Sequence, residues 1–218
     1  MSVSAQGYSP TFVYQQEYIE GFSVLIHPDA VLQKAALQNV RDELALQFKA
    51  ISRVMPNETM RFMRQVPIWV EWQSDPNGAA VFHPSRQWLL QNGYNPDKAN
   101  GIELSNAVNF VNWSRTDQPW MVLHELTHAY HYMVLGEANP DIAFAYQQAM
   151  ALHLYDSVDY VRGGKKQAYA VTSAREYFAE LSEAYFGRND HYPFNRNDLQ
   201  RHDPVGYQLM VKAWGRLR

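Results

Sequence analysis

The sequence predicts an α+β fold with a small mixed β-sheet and a mainly helical C-terminal part. Short strand-like segments are concentrated in the first half of the chain, and helix-like segments dominate the second half. Hydrophobic residues make up 46% of the 218 residues, enough for a substantial core in a domain of this size. We therefore expect a single domain over residues 1–218, with an N-terminal α/β lobe at about 1–135 and a helical lobe at about 136–218.

The N-terminal half combines short strand patterns with one long helix pattern. Residues 12–26 alternate loosely around a central break, which predicts two strands joined by a turn. A broad apolar stripe predicts a helix from Asp29, which could cap it, to about residue 54, and Pro56 helps to end it. Further strands are predicted at residues 66–72, 79–82 and 101–105, and a short helix at residues 85–90.

The second half is predicted to be a series of helices. Asp117 could cap the first of them, with Pro119 in its first turn and Gly136 at its end. Further helices are predicted at about residues 140–154, 173–186 and 204–217. The glycine-rich basic segment at residues 162–166 is expected to be an exposed loop.

Charge and cysteine content exclude several classes of function. The formal net charge is -3 and no long basic run occurs, which argues against a nucleic-acid partner. No apolar stretch is long enough for a membrane span. The absence of cysteine excludes disulfides, thiolate metal sites and cysteine nucleophiles. The first 21 residues lack the basic and apolar regions of a signal peptide, and the localisation stays open between cytosolic and exported.

The most informative motif is His124-Glu125-Leu126-Thr127-His128. On a helix, histidines four residues apart lie one turn apart on one face, where they can bind one Zn²⁺. Glu125 would then lie beside the metal as a general base rather than as a ligand. The flanking sequence is apolar, so these polar side chains are costly there unless a metal satisfies them. Histidines without any ligand are the alternative.

A catalytic zinc site needs a third protein ligand. His131 and Val134 occupy the positions where the metzincin pattern requires Gly and His, so that class is excluded. The best candidate is Glu176, which shares a helix face with Glu180 and Glu183. Glu180 could accept the free N–H of a ligating histidine, although a solvated acidic face is the alternative. The competing third ligands, of which the last two are the main rivals, are Glu137, Asp141, Asp156 and Asp159.

These motifs resemble the catalytic domain of anthrax-lethal-factor-type metallopeptidases and their bacterial relatives, a gluzincin group with a zincin-like fold. The resemblance rests on the motif at 124–128 and on the E-x-F-A-E segment that begins at Glu176, and it covers about the last hundred residues. It implies that Glu176 is the third zinc ligand and that Tyr169, seven residues earlier, stabilises the oxyanion. An ordinary core tyrosine is the alternative for Tyr169, and the resemblance gives His131 no role.

Zincins commonly bind the substrate as an added strand on an exposed sheet edge. The resemblance therefore suggests Ile102, Glu103, Leu104 and Ser105 as a substrate-binding edge, with an ordinary covered strand as the alternative. We expect a zinc metallopeptidase that hydrolyses peptide or protein substrates with Glu125 as general base. The alternatives are a catalytically inactive zincin-fold binding protein and a zinc hydrolase acting on a non-protein amide.

Overall fold

The computed structural model describes residues 7–215 and confirms an α+β fold with a mixed sheet. The main-sheet strands are β1 Gln15–Ile19, β2 Phe22–Ile26, β3 Ile68–Val70, β4 Val81–Phe82 and β5 Ile102–Leu104. Their order across the sheet is β1-β2-β3-β5-β4. The three central strands are parallel, and β1 and β4 pair antiparallel at the two edges. A separate ribbon pairs β6 Val158–Asp159 with β7 Lys165–Lys166.

Helices cover the sheet and form most of the second half. They are α1 Pro28–Leu32, α2 Lys34–Val54, α3 Asn57–Met63, α4 Arg86–Gln91, α5 Ala107–Thr116, α6 Met121–Tyr130, α7 Pro140–Ala151, α8 Ala174–Phe186, α9 Arg196–His202 and α10 Pro204–Trp214. A π-helix, His131–Gly136, continues α6, and a 3₁₀ turn, Tyr169–Val171, precedes α8. One continuous set of buried apolar side chains extends from β2 to α10.

The long helix predicted from Asp29 is two helices, because the backbone of Gln33 leaves the helical region between α1 and α2. The cap of α1 is His27, whose Nδ1 accepts the Asp29 N–H at 3.2 Å, so the predicted cap lies inside the first turn. The apolar stripe of α2 packs on the sheet, where Phe48 stacks on Phe22 with ring centroids 3.9 Å apart.

Helix α5 is the main element that the sequence does not predict. Asn106 caps it by accepting the Val108 and Asn109 N–H groups at 3.1 and 3.0 Å. Asp117 lies at the C-terminal end of α5, and its carboxylate accepts hydrogen bonds from Tyr160 and Arg162. The prediction that Asp117 caps the motif helix is therefore wrong, and α6 begins at Met121.

The C-terminal helices follow the prediction more closely. The motif helix and its π-helical extension end at Gly136, which adopts a left-handed φ of 85°. Helix α8 lies within the predicted range of residues 173–186, and α9 is an additional short helix. The predicted end of the last helix at residue 217 lies outside the described residues. Among residues 7–215, no helix combines the length and the apolar character that crossing a membrane requires.

Candidate metal centre

Helix α6 presents His124 and His128 to one open cleft. Their ring centroids are 4.7 Å apart, as expected for side chains one helical turn apart. The first turn of α6 has no side-chain cap of its own, and the Val122 N–H instead donates to the Gln47 side chain of α2 at 2.9 Å. The buried apolar side chains that fix this helix in the core include Leu123, Leu126 and Ala129.

Helix α8 supplies the acidic side of the cleft. Ser173 caps this helix by accepting the Glu176 N–H on its hydroxyl at 3.2 Å. Glu176, Glu180 and Glu183 follow at helical spacing, and all three line the cleft with the histidines. Apolar neighbours in the same helix, Tyr177, Phe178 and Leu181, are buried and hold α8 against α6 and the rest of the core.

The three predicted metal ligands come together between α6 and α8. His124 Nε2 lies 3.0 Å from Glu176 Oε2, and His128 Nε2 lies 3.2 Å from the same oxygen. One potential ligand atom from each of the three residues lies within 4.8 Å of the other two. Two imidazole nitrogens and a carboxylate oxygen therefore converge on one point, and this group could hold a metal ion.

The hydrogen bonding of His124 fits a cation at that point. Its Nδ1 lies 2.7 Å from Glu183 Oε1, so a neutral ring that donates there presents a lone pair at Nε2. That lone pair faces a carboxylate oxygen of Glu176, which is unfavourable unless a second proton or a cation lies between them. Two nitrogens and one oxygen form a common donor set of catalytic zinc sites.

The same contacts set the protonation of the group. Burial lowers the pKa of His124, but hydrogen bonds to Glu176 and Glu183 outweigh it and hold that pKa well above its ordinary value. Burial raises the pKa of Glu176, but hydrogen bonds from His124 and His128 hold it well below the usual range. Glu176 is therefore ionised at neutral pH, which is the form that binds a metal.

The structure differs from the prediction for the carboxylate that supports His124. Glu183 accepts the hydrogen bond at 2.7 Å, whereas the nearest oxygen of Glu180 lies 3.8 Å from the same nitrogen, too far for a hydrogen bond. Glu180 and Glu183 share the face of α8 that meets α6. The packing of the two helices brings Glu183, which lies farther along α8, to the His124 ring. A carboxylate behind a ligating imidazole fixes its tautomer and orientation.

Glu125 lies beside the histidines, is buried and lines the same cleft. Its Oε2 accepts the backbone N–H of Phe82 at 2.7 Å, which ties the motif helix to β4. This contact fixes one oxygen of the carboxylate in the cleft that the histidines line. No sequence signal indicated the Phe82 amide, because a backbone donor can belong to any residue type.

Tyr169 lies in the 3₁₀ turn before α8 and lines the cleft. Its side chain is 52% exposed, so it is not an ordinary core tyrosine. Its ring centroid lies 6.3 Å from that of His124. Partial burial and the nearby Glu176 raise the pKa of the Tyr169 hydroxyl, so the group keeps its proton and can donate a hydrogen bond.

The predicted substrate-binding edge is wrong, because β5 is an interior strand. It pairs with β3 on one side and with β4 on the other. All four residues of the predicted edge, Ile102, Glu103, Leu104 and Ser105, are buried. The edge beside the motif helix is instead β4, which lines the cleft. The sequence does not reveal this order because β4 pairs outside a strand that follows it in the chain.

The rival third ligands lie elsewhere. Asp141 pairs with Lys212, Asp156 with His153, and Asp159 approaches Lys165 on the ribbon. Glu137 is exposed and lines the cleft, but it belongs to none of the possible metal-binding groups among the described residues.

His131 lines the cleft one turn after the second motif histidine, and its side chain is buried. Burial, together with unfavourable electrostatic interactions with His128 and Arg175, lowers the pKa of His131 to about 4, so its ring is neutral. The cleft that these residues enclose has a volume of about 430 Å³.

Comparison of the chain with models of protein families, with curated proteins and with solved structures found no match. A fold class alone does not determine an activity. An activity can therefore be inferred only from the residues of this site.

Proposed function

We propose that the protein is a zinc-dependent metallopeptidase of the gluzincin type with a zincin-like fold, in which His124, His128 and Glu176 hold one Zn²⁺. The observation that carries the proposal is the convergence of two imidazole nitrogens and a carboxylate oxygen beside Glu125 in one open cleft. When bound there, zinc would polarise the scissile carbonyl and make the attacking water more acidic.

Glu125 acts as the general base in this proposal. Its Oε2 is held by the Phe82 N–H, which leaves Oε1 to take the proton of the attacking water. The same carboxyl then returns that proton to the leaving amine. The fixed position of the side chain places the base before the substrate arrives, which reduces the entropy lost in reaching the transition state.

Tyr169 acts as the oxyanion donor. Its half-exposed ring lies on the cleft side of His124, and its hydroxyl is protonated at neutral pH. A hydrogen bond from this group would strengthen as negative charge develops on the carbonyl oxygen. Tyr169 thereby stabilises the transition state more than the bound substrate.

The substrate pairs with β4 rather than with β5. Among the described residues, β4 pairs with β5 alone, and it borders the cleft beside Glu125. An extended peptide added to this edge would gain main-chain hydrogen bonds from groups other than the Phe82 N–H, which donates to Glu125, and would run past the convergence point. This geometry favours a peptide or protein substrate over a small non-protein amide, which has no strand to add.

The test combines metal analysis with a peptide library. The purified protein, freed of metal and reconstituted with zinc, is expected to cleave library peptides. Glu125→Gln is expected to bind zinc but to cleave the same peptides about 10²–10⁴-fold more slowly. If the parent protein binds zinc but cleaves no peptide of the library, the proposal is contradicted and a binding protein is favoured. Cleavage of non-protein amides alone, cell-wall fragments for example, would contradict it in favour of a different hydrolase.

A further inference from the structure

A second group of buried acidic residues begins next to Nδ1 of His124, the ring nitrogen that does not face Glu176. Glu180, Glu183 and Asp190 are 3%, 4% and 7% exposed. Within residues 7–215, none of the three forms an ion pair with lysine or arginine, and the only basic side chains that contact them are His124 and His191. Burial of several carboxylates with so little positive charge is costly.

Glu180 shows where this group lacks a partner. Its Oε2 is fully buried and has no hydrogen-bond partner among the described residues. An ionised carboxylate oxygen left unsatisfied in the interior carries a large desolvation penalty, so such an atom calls for a specific explanation. Glu183 does not share this problem, because it accepts the hydrogen bond from His124.

The donors around Glu180 match a metal site. One potential ligand atom from each of Glu180, Asp190 and His191 lies within 4.8 Å of the other two. None of these residues belongs to the group at the convergence point, so the two groups share no ligand. His124 cannot serve here, because its Nδ1 is engaged by Glu183 and its Nε2 faces Glu176.

The loop that carries two of these donors is held in place. The Asp190 carbonyl accepts the Val161 N–H at 2.8 Å, and the Asp190 side chain contacts His191 Nδ1 at 2.8 Å. The His191 ring packs against Tyr160 of the neighbouring ribbon, with centroids 4.9 Å apart. The three donors are therefore positioned by two separate parts of the fold, α8 and the loop after it.

We propose that Glu180, Asp190 and His191 form a second site for a divalent transition-metal ion, distinct from the catalytic one. The donor set of two carboxylates and an imidazole suits zinc or manganese better than calcium or magnesium, which prefer oxygen ligands alone. The ion would neutralise the buried acids and fasten the loop at 189–191 to α8. The role of this second ion would be structural, and the proposal does not depend on whether the protein is a peptidase.

The test is metal stoichiometry, measured by elemental analysis after the metal-free protein is dialysed against zinc or, separately, manganese. The parent is expected to retain two ions of zinc per chain. Asp190→Asn and His191→Gln should each retain one, and so should His128→Ala, which removes a ligand of the other site. Combining Asp190→Asn with His128→Ala should leave almost none.

The matched control is Asp159→Asn, the same change at an aspartate whose side chain is 63% exposed on the nearby ribbon, and it should keep both ions.

If Asp190→Asn does not fold, anomalous diffraction from crystals of the zinc-loaded parent provides a second test. It is expected to show two peaks, one of them beside Glu180. One ion per chain, or a second ion that Asp190→Asn and His191→Gln both keep, would overturn the proposal. So would a protonated carboxyl, seen by infrared spectroscopy in the zinc-loaded parent and lost in Glu180→Gln, because a proton would then replace the cation. Peptide cleavage distinguishes this proposal from the proposed function. A protein that holds only the ion at the convergence point would still cleave peptides, although the second site would be refuted.

Discussion

Glu125 is the side chain whose replacement separates metal binding from catalysis. Glu125→Gln keeps the shape of the residue and can still accept the Phe82 N–H, but it removes the base. We expect zinc content to be unchanged and kcat on a cleavable peptide to fall by about 10²–10⁴-fold, the usual contribution of a general base. The control is Glu137→Gln, which changes an exposed glutamate of the same cleft and should leave kcat unaltered. A Glu125→Gln variant as fast as the parent would exclude the base role.

Tyr169 offers a second test at the same scale. Tyr169→Phe should retain the fold and the metal, because the side chain is half-exposed and is not a predicted ligand. Loss of one oxyanion donor typically costs about 10²–10³ in rate, and it should appear in kcat rather than in KM. Tyr132→Phe, at another exposed tyrosine of the cleft, is the matched control and should have little effect. Unchanged kcat in Tyr169→Phe would refute the role.

Replacement of Glu183 tests whether its carboxylate holds the His124 ring in position for a metal. Glu183→Gln keeps an oxygen that can accept the His124 N–H but removes the negative charge behind the ring. We expect zinc affinity to fall by about 10- to 100-fold, as is typical when a carboxylate behind a metal-binding histidine is lost. Competition with a chelator measures it, with Glu58→Gln on the exposed face of α3 as the control. Equal zinc affinities of the parent and Glu183→Gln would mean that the charge of Glu183 does not contribute to zinc binding through His124.

The close approach of the end of α8 to the start of α6 depends on a glycine. A Cβ at Gly187 would overlap the Trp120 ring, so Gly187→Ala must displace that ring or the end of α8. Overpacking of this kind costs about 1–3 kcal/mol, which lowers Tm by about 2–12 °C in a chain of this length. Calorimetry would measure the shift. Gly7→Ala, where the nearest heavy atom lies 4.0 Å from the added carbon, should leave Tm unchanged.

Spacing within short segments predicts the helices that carry the site residues. Features that depend on contacts between distant segments were not predicted. The spacing of His124 and His128 needs only one helix, and the acidic spacing of α8 follows the same rule. The order of β4 and β5 depends on pairing between strands distant in sequence, which no periodicity encodes. The choice of Glu183 over Glu180 depends on how two helices pack, and α5 was missed although Asn106 is a standard cap.

At the scale of the whole molecule, the cleft lies where the sheet edge meets two helices from different parts of the chain. Glu125 is tied to β4, and His124 and His128 meet Glu176 of α8. A metal bound between α6 and α8 would therefore link residues about fifty positions apart and would bind only the folded chain. Metal binding should consequently appear as stability of the whole domain.

Zinc is accordingly expected to raise the Tm of the metal-free protein. An ion that binds only the folded state adds about 2.7 kcal/mol when its free concentration is 100-fold above Kd. For a chain of this length that corresponds to a rise of about 5–10 °C for each site filled. His128→Ala removes one ligand of the convergence point, so its rise should be smaller than that of the parent, whereas Glu125→Gln should rise as far as the parent. Thermal denaturation of the three proteins over a zinc titration makes the comparison. Equal shifts in the parent and His128→Ala would show that zinc stabilises the fold without binding at the convergence point.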